Sequence, residues 1–226
     1  MFKSLHLYMH RNFLKHGIIF LCFFMFIQFI NTGCNVCSSK KITCQGYDDS
    51  LVLQWFPYQL NQQVTFKGGS NKLEVLTING VDKSEPAEIT IGGYGNNRVC
   101  NASYRVTSLE MDTPSIPRLQ IFSNIMYDNS GNLQNKNTQL IFLNETFAAT
   151  DIVDTGFVRL NTTPSYIFTQ FFNTLTLNSK AFTNVQMLQI DTNFIKPSGI
   201  RSVYISKNNG IIGYIRYPSN DLWVKE

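Results

Sequence analysis

Histidine is nearly missing from this chain: His6, His10 and His16 are its only copies, and none follows them. Beyond residue 16 there is therefore no imidazole to shuttle a proton near neutral pH or to ligate zinc. Ser-His-Asp and Cys-His catalysis are excluded from that whole stretch. Charge is sparse as well, with Asp, Glu, Lys and Arg making up 15% of the residues. No basic cluster is larger than Lys40-Lys41. Nucleic-acid binding needs a concentrated basic footprint, so no nucleic-acid partner is expected. Also missing is an apolar run of the ~20 residues that a membrane-spanning helix requires.

What is present begins at the amino terminus. Lys3, Arg11 and Lys15, with no acid among them, precede GIIFLCFFMFIQFI over Gly17 to Ile30, apolar except for Gly17 and Gln28. A positive front, a short apolar core and the small residues Thr32 and Gly33 form the three-part layout of a secretory signal. Met9 is an alternative start that keeps a basic front. Cys34 follows Gly33 directly, and a cysteine in that place resembles the lipobox of bacterial lipoproteins. Asn31 stands where that pattern usually has an aliphatic residue. The resemblance implies that residues 1–33 are removed and that the Cys34 thiol is diacylated and becomes the first residue. Cleavage nearby without a lipid, or an uncleaved anchor, are the other readings of these residues. Several acyl chains, each adding ~0.8 kcal/mol per buried CH2, hold a protein stably on a membrane where one chain does so only marginally.

Loss of the leader removes every histidine and three of the 19 basic residues, leaving 16 against 15 acids, an almost neutral remainder. Cys22 leaves with it. Cys34-x-x-Cys37 has a metal-like spacing, but no second pair matches it, and neither a metal nor a cofactor is expected. With Cys34 acylated in an oxidising compartment, one disulfide is the simplest outcome. Cys44 with Cys100 is the favoured pair; it closes a loop of 56 residues. Such a loop contributes on the order of 4 kcal/mol in the chain-entropy view. Cys37 is then left as a free thiol.

Residues 34–41 (CNVCSSKK) are polar and read as a lipidated tether, and 42–226 as one β-rich domain. Ala87 to Ile91 alternates cleanly. Gln63–Lys67, Lys72–Ile78, Arg98–Leu109, Arg118–Tyr127 and Thr138–Phe147 are rich in β-branched and aromatic residues, with turn formers such as Gly68-Gly69 and Asp128 to Asn132 between them. Phe182–Asp191, Ser202–Ser206, Ile211–Tyr217 and Leu222–Val224 continue the rhythm. The expectation is a mainly β fold, a single antiparallel β-sandwich or a partly closed β-barrel. At most two short helices are expected, over Ser50–Phe56 and Ser165–Asn173.

The runs ITCQGYDDSLVLQWFPY, LTLNSKAFTNVQML and VYISKNNGIIGYIRYPSNDLWV resemble a group of outer-membrane lipoproteins of Bacteroidetes-type bacteria. In that group a Lys-containing turn leads into a Gly-Ile/Leu-Ile/Val-Gly-Tyr/Phe strand and then a Trp strand. The resemblance implies the lipid anchor and the β fold; no catalytic residues are assigned to the group, so none carry over.

Candidates for chemistry are few. Asp48-Asp49 and Asp151 with Asp154 are carboxylate pairs of the kind used in glycoside hydrolysis, but in polar loops they read as solvated turn residues, and no catalytic residue is assigned. Gly92-Gly93-Tyr94-Gly95 lacks the Lys-Ser/Thr of a phosphate loop and reads as a turn. The aromatics Trp55, Phe56, Tyr166, Phe168, Phe171 and Phe172 are either core or the lining of a ligand-facing surface. The expected function is a non-enzymatic, lipid-anchored envelope module that contacts an envelope protein; the alternative is a carrier for an apolar or amphiphilic ligand in a β-cup. The resemblance implies the outer membrane as the location, and because the residues after Cys34 lack an acidic run like the surface-export signal of such bacteria, its periplasmic face is the expected one.

Overall fold

In the computed structural model, which describes residues 44–69, 71–90, 98–109, 117–128, 130–160, 166–195 and 199–226, a two-residue alternation builds most of the chain. Between Arg98 and Leu109, for example, Cys100, Ala102, Tyr104, Val106 and Ser108 are buried and the residues between them are more open. Successive side chains of an extended backbone point to opposite faces, so such a stretch buries one face and wets the other. The leader, the tether, Cys34, Cys37 and the Gly92–Gly95 run lie outside the described residues.

A short helix α1 (Ser50–Trp55) comes first, followed by β1 (Gln63–Lys67), β2 (Leu73–Thr77), β3 (Gly80–Lys83), β4 (Ala87–Thr90), β5 (Arg98–Leu109), β6 (Pro117–Tyr127) and β7 (Leu133–Phe142). Then come β8 (Glu145–Val153), β9 (Gly156–Leu160), β10 (Ile167–Leu177), β11 (Lys180–Ile190), β12 (Ile200–Ser206), β13 (Gly210–Arg216) and β14 (Leu222–Lys225). One seven-stranded sheet has the order β10-β11-β12-β13-β14-β1-β2; the other runs β3-β5-β6-β7-β8-β9, with β4 also paired to β5. Both are largely meanders of antiparallel neighbours. The chain starts the first sheet with β1 and β2, crosses over to build the second, and returns so that β14 pairs with β1 through Phe66 and Lys225.

The sheets share one core. Val64, Phe66, Val203, Ile205, Ile211 and Tyr214 enter it from the first sheet, and Val106, Ile121, Leu140, Phe142 and Phe147 from the second. Fully burying such side chains stabilises the fold by roughly 1.5–3 kcal/mol each. The fold is a β-sandwich. The partly closed barrel does not occur, because the sheets do not join: the first ends at β10 and β2, the second at β9 and the β3 and β4 edge.

Helix α1 forms as the sequence suggests. Asp49 caps it, its Oδ1 accepting from the Leu51 and Val52 amides at 3.1 Å each, which satisfies two of the donors a helix start leaves open. Pro57 forces Phe56 out of helical geometry and ends it. Val52 and Trp55 are buried, and the Trp55 indole donates to the Val153 carbonyl at 3.1 Å.

Two expectations are corrected. Thr138–Phe147 is not one strand: Leu143 and Asn144, at φ 45° and 71°, make a two-residue turn that divides it into β7 and β8. The expected helix over Ser165–Asn173 is instead strand, its described part lying in β10 from Ile167 on and paired along β11. Its aromatic and β-branched residues suit a pleated surface better than a helix. The hairpin β10–β11 also runs past the end of β12 and lies over the outer face of its own sheet. Leu177 and Val185 pack there with Ile212 and Val224, and Lys180 Nζ donates to the Lys225 carbonyl at 3.0 Å.

Candidate functional site

Cys44 and Cys100 form a disulfide with their Cα atoms 5.2 Å apart. Cys100 lies near the start of β5, opposite Glu88 on β4 and Tyr127 on β6. The chain that enters the domain is thus stapled to a strand with neighbours on both sides.

The six aromatics are not gathered into one surface. Trp55 and Phe56 lie inside the core, where the Phe56 ring meets Phe157 at 5.9 Å. Phe171 is half-buried against that core, and Phe172 packs against the cluster on the outer face. Tyr166 is half-buried and stacked on Phe194 at 5.0 Å. Only Phe168 of the six is exposed. The WFPY stretch is core because α1 and the turn after it wedge between the sheets: Tyr104 Oη donates to the Phe56 carbonyl at 3.2 Å, and Tyr58 Oη accepts the Ile211 amide at 2.8 Å. Burial pushes the Tyr104 phenol up to about 12.

The carboxylates are rearranged too. Asp49 is buried rather than solvated, while Asp48 is exposed. Lys136 of β7 brings Asp49 and Asp151 together, with its Nζ 2.6 Å from Asp49 Oδ2 and 2.8 Å from Asp151 Oδ1. Burial alone would lower the lysine's pKa, but hydrogen bonds to Asp151 and Asp49 outweigh it and hold it above its ordinary value. Asp154 goes elsewhere, to Lys207 at 2.7 Å. The arrangement clasps the start of α1 to the second sheet. Both carboxylates of the cluster are bound to an ammonium, which suits them to holding structure.

Two further polar constellations escaped sequence reading. Gln186 of β11 is buried; its Oε1 accepts the Phe157 amide at 2.7 Å and its Nε2 donates to the Phe157 carbonyl at 3.1 Å. A side chain of one sheet thereby does for edge strand β9 what another strand would do. Gly156, at φ 99°, leaves room for it, since a Cβ there would sit 2.2 Å from Gln186 Oε1. The other constellation centres on Glu74 of β2, which receives Arg118 of β6 and Arg216 of β13 as ion pairs, and the Tyr214 hydroxyl at 2.5 Å. Glu74 shares its strand face with buried Leu76; a charge in phase with buried positions was the available signal.

Comparison of the chain with protein-family models, with curated proteins and with solved structures finds no match. Among the described residues, no helix is long and apolar enough to cross a membrane, and no group of three or more His, Cys, Asp or Glu is placed to hold a metal ion.

Proposed function

We propose that this chain is a lipid-anchored protein of a bacterial outer membrane, held by acyl chains on Cys34, whose sandwich serves as a non-enzymatic interaction module. The filled interior carries the choice of a module over a carrier. Trp55, Phe56, Phe66, Phe142, Phe147 and Tyr214 are fully buried. The Phe66, Phe142 and Tyr214 rings meet one another at 5.3 to 6.3 Å between the sheets. A carrier needs that space for its ligand. The lipid anchor is supported by the basic front, the short apolar core and Thr32-Gly33-Cys34, and the periplasmic face by the lack of acids directly after Cys34. A tether from Cys34 to Cys44 spans at most ~35 Å when extended, so the domain works close to the bilayer surface.

The test is Cys34→Ser expressed in a Gram-negative host fed labelled palmitate. The unaltered chain should pellet with membranes and carry label, and the variant should lose both properties. An unlabelled chain, or a variant that still pellets in full, would overturn the anchor.

A further inference from the structure

At Glu74 the described residues bring more positive than negative charge together. Arg118 contacts Glu74 Oε1, and Arg216 and the Tyr214 hydroxyl both contact Oε2. Two guanidinium groups thus share one carboxylate, and among the described residues no other acid lies within ion-pair distance of either arginine. The carboxylate side chain is only 9% exposed, while Arg118 and Arg216 keep 24% and 37% of theirs open. Solvent therefore meets the cationic side of the cluster.

The geometry is held firmly. The Arg216 guanidinium lies over the Trp223 ring at 5.2 Å and the Tyr214 ring at 5.8 Å, and those two rings stack at 5.9 Å with 6° between their planes. Among the described residues, buried Arg216 Nε and, beside it, Trp223 Nε1 find no hydrogen-bond acceptor. Buried donors of this kind are rare in folded proteins. Glu74 therefore uses only part of the donor capacity that the two arginines present.

We propose that this end of the sandwich binds an oxyanion, the carboxylate or phosphoryl group of a partner, on the open edges of Arg118 and Arg216. A planar guanidinium recognises such oxygens through paired hydrogen bonds. Stacking on Trp223 fixes the Arg216 plane in advance, so less rotamer freedom is lost on binding. Glu74 positions the pair and competes with the ligand. The site names the partner's chemistry for the interaction reading and rests on that reading, but its test makes no use of the anchor.

The test is thermal unfolding of the full chain in detergent, with added inorganic phosphate or succinate, each against potassium chloride at equal ionic strength. A saturable rise in Tm with phosphate alone identifies a phosphoryl ligand, and with succinate alone a carboxylate ligand. The rise should vanish in Arg216→Gln and in Arg118→Gln. In Glu74→Gln the anion should bind ~10-fold more tightly, because a charge-assisted competitor has been removed. If Arg216→Gln fails to fold, Arg118→Gln and Glu74→Gln still decide. A response that potassium chloride reproduces, or one that both arginine variants retain, overturns the site. Membrane release of Cys34→Ser would be unaffected by that outcome, which keeps the two readings separable.

Discussion

Gln186→Leu tests how the two sheets are closed onto each other. The Gln186 amide is buried and satisfies both the N–H and the C=O of Phe157. Leucine has nearly the same volume, so the substitution leaves packing largely intact and strands two buried backbone groups. Each unsatisfied group costs about 1–3 kcal/mol, and the added apolar burial offsets roughly 1 kcal/mol of the sum. The expected loss is about 3 kcal/mol. With a urea slope near ~2 kcal/mol/M, the midpoint should fall by about 1.5 M. Amide exchange adds a local readout, since the Phe157 N–H should lose its protection while Ile121, in the middle of the second sheet, keeps its own. A midpoint shift below ~0.2 M, with Phe157 still protected, would refute the idea that this side chain substitutes for a strand.

Replacing both Cys44 and Cys100 with alanine should lower stability by ~4 kcal/mol through the freedom returned to the unfolded chain, as read by denaturant unfolding. Gly68→Ala should cost about 1–3 kcal/mol, because the new Cβ would lie 2.8 Å from Trp223 Cε2 and that ring is already held by its contacts with Tyr214 and the Arg216 guanidinium; a lower Tm with altered tryptophan emission is the expected readout. Alkaline pH should unfold the domain in a defined window. Tyr104 is pushed up to about 12 by burial, and Lys136, despite its burial, is raised by Asp151 and Asp49. Both folded values lie above the unfolded ones, so their stabilisation is full below pH ~10 and is lost as pH climbs through the folded values. Tyrosinate absorbance should rise together with loss of sheet signal; Tyr104 ionising well before unfolding would contradict this.

The strand over Arg98–Leu109 and the turn at Asp128 to Asn132 were readable because each carries a local signal, β-branched and aromatic residues in the one and turn-forming residues in the other. The Leu143-Asn144 turn was not, since a leucine at φ 45° carries no mark of a turn. It is held there by context, its amide donating to the Arg118 carbonyl at 2.8 Å while its side chain packs on the core. The Cys44–Cys100 pair could be read because the lipobox-like context of Cys34 set that cysteine aside as the expected acylation site, leaving few partners. Glu74, Arg118 and Arg216 could not, because they are separated by 44 and 142 residues in sequence and meet only once the two sheets are stacked. Gln186 shows the same limit, since its partner Phe157 belongs to the other sheet. The aromatics of WFPY were legible as a group with core as one of two readings, and core is what the structure shows, because α1 wedges between the sheets.

The most direct measurement is the intact mass of the protein purified from membranes without reductant, taken under both native and denaturing conditions. The expected mass is that of residues 34–226 plus acyl chains, less two hydrogens for the Cys44–Cys100 disulfide, and it is the same in both conditions. A retained leader or an unmodified Cys34 would contradict the anchor. A small apolar molecule lost only on denaturation would contradict the interaction module in favour of a carrier.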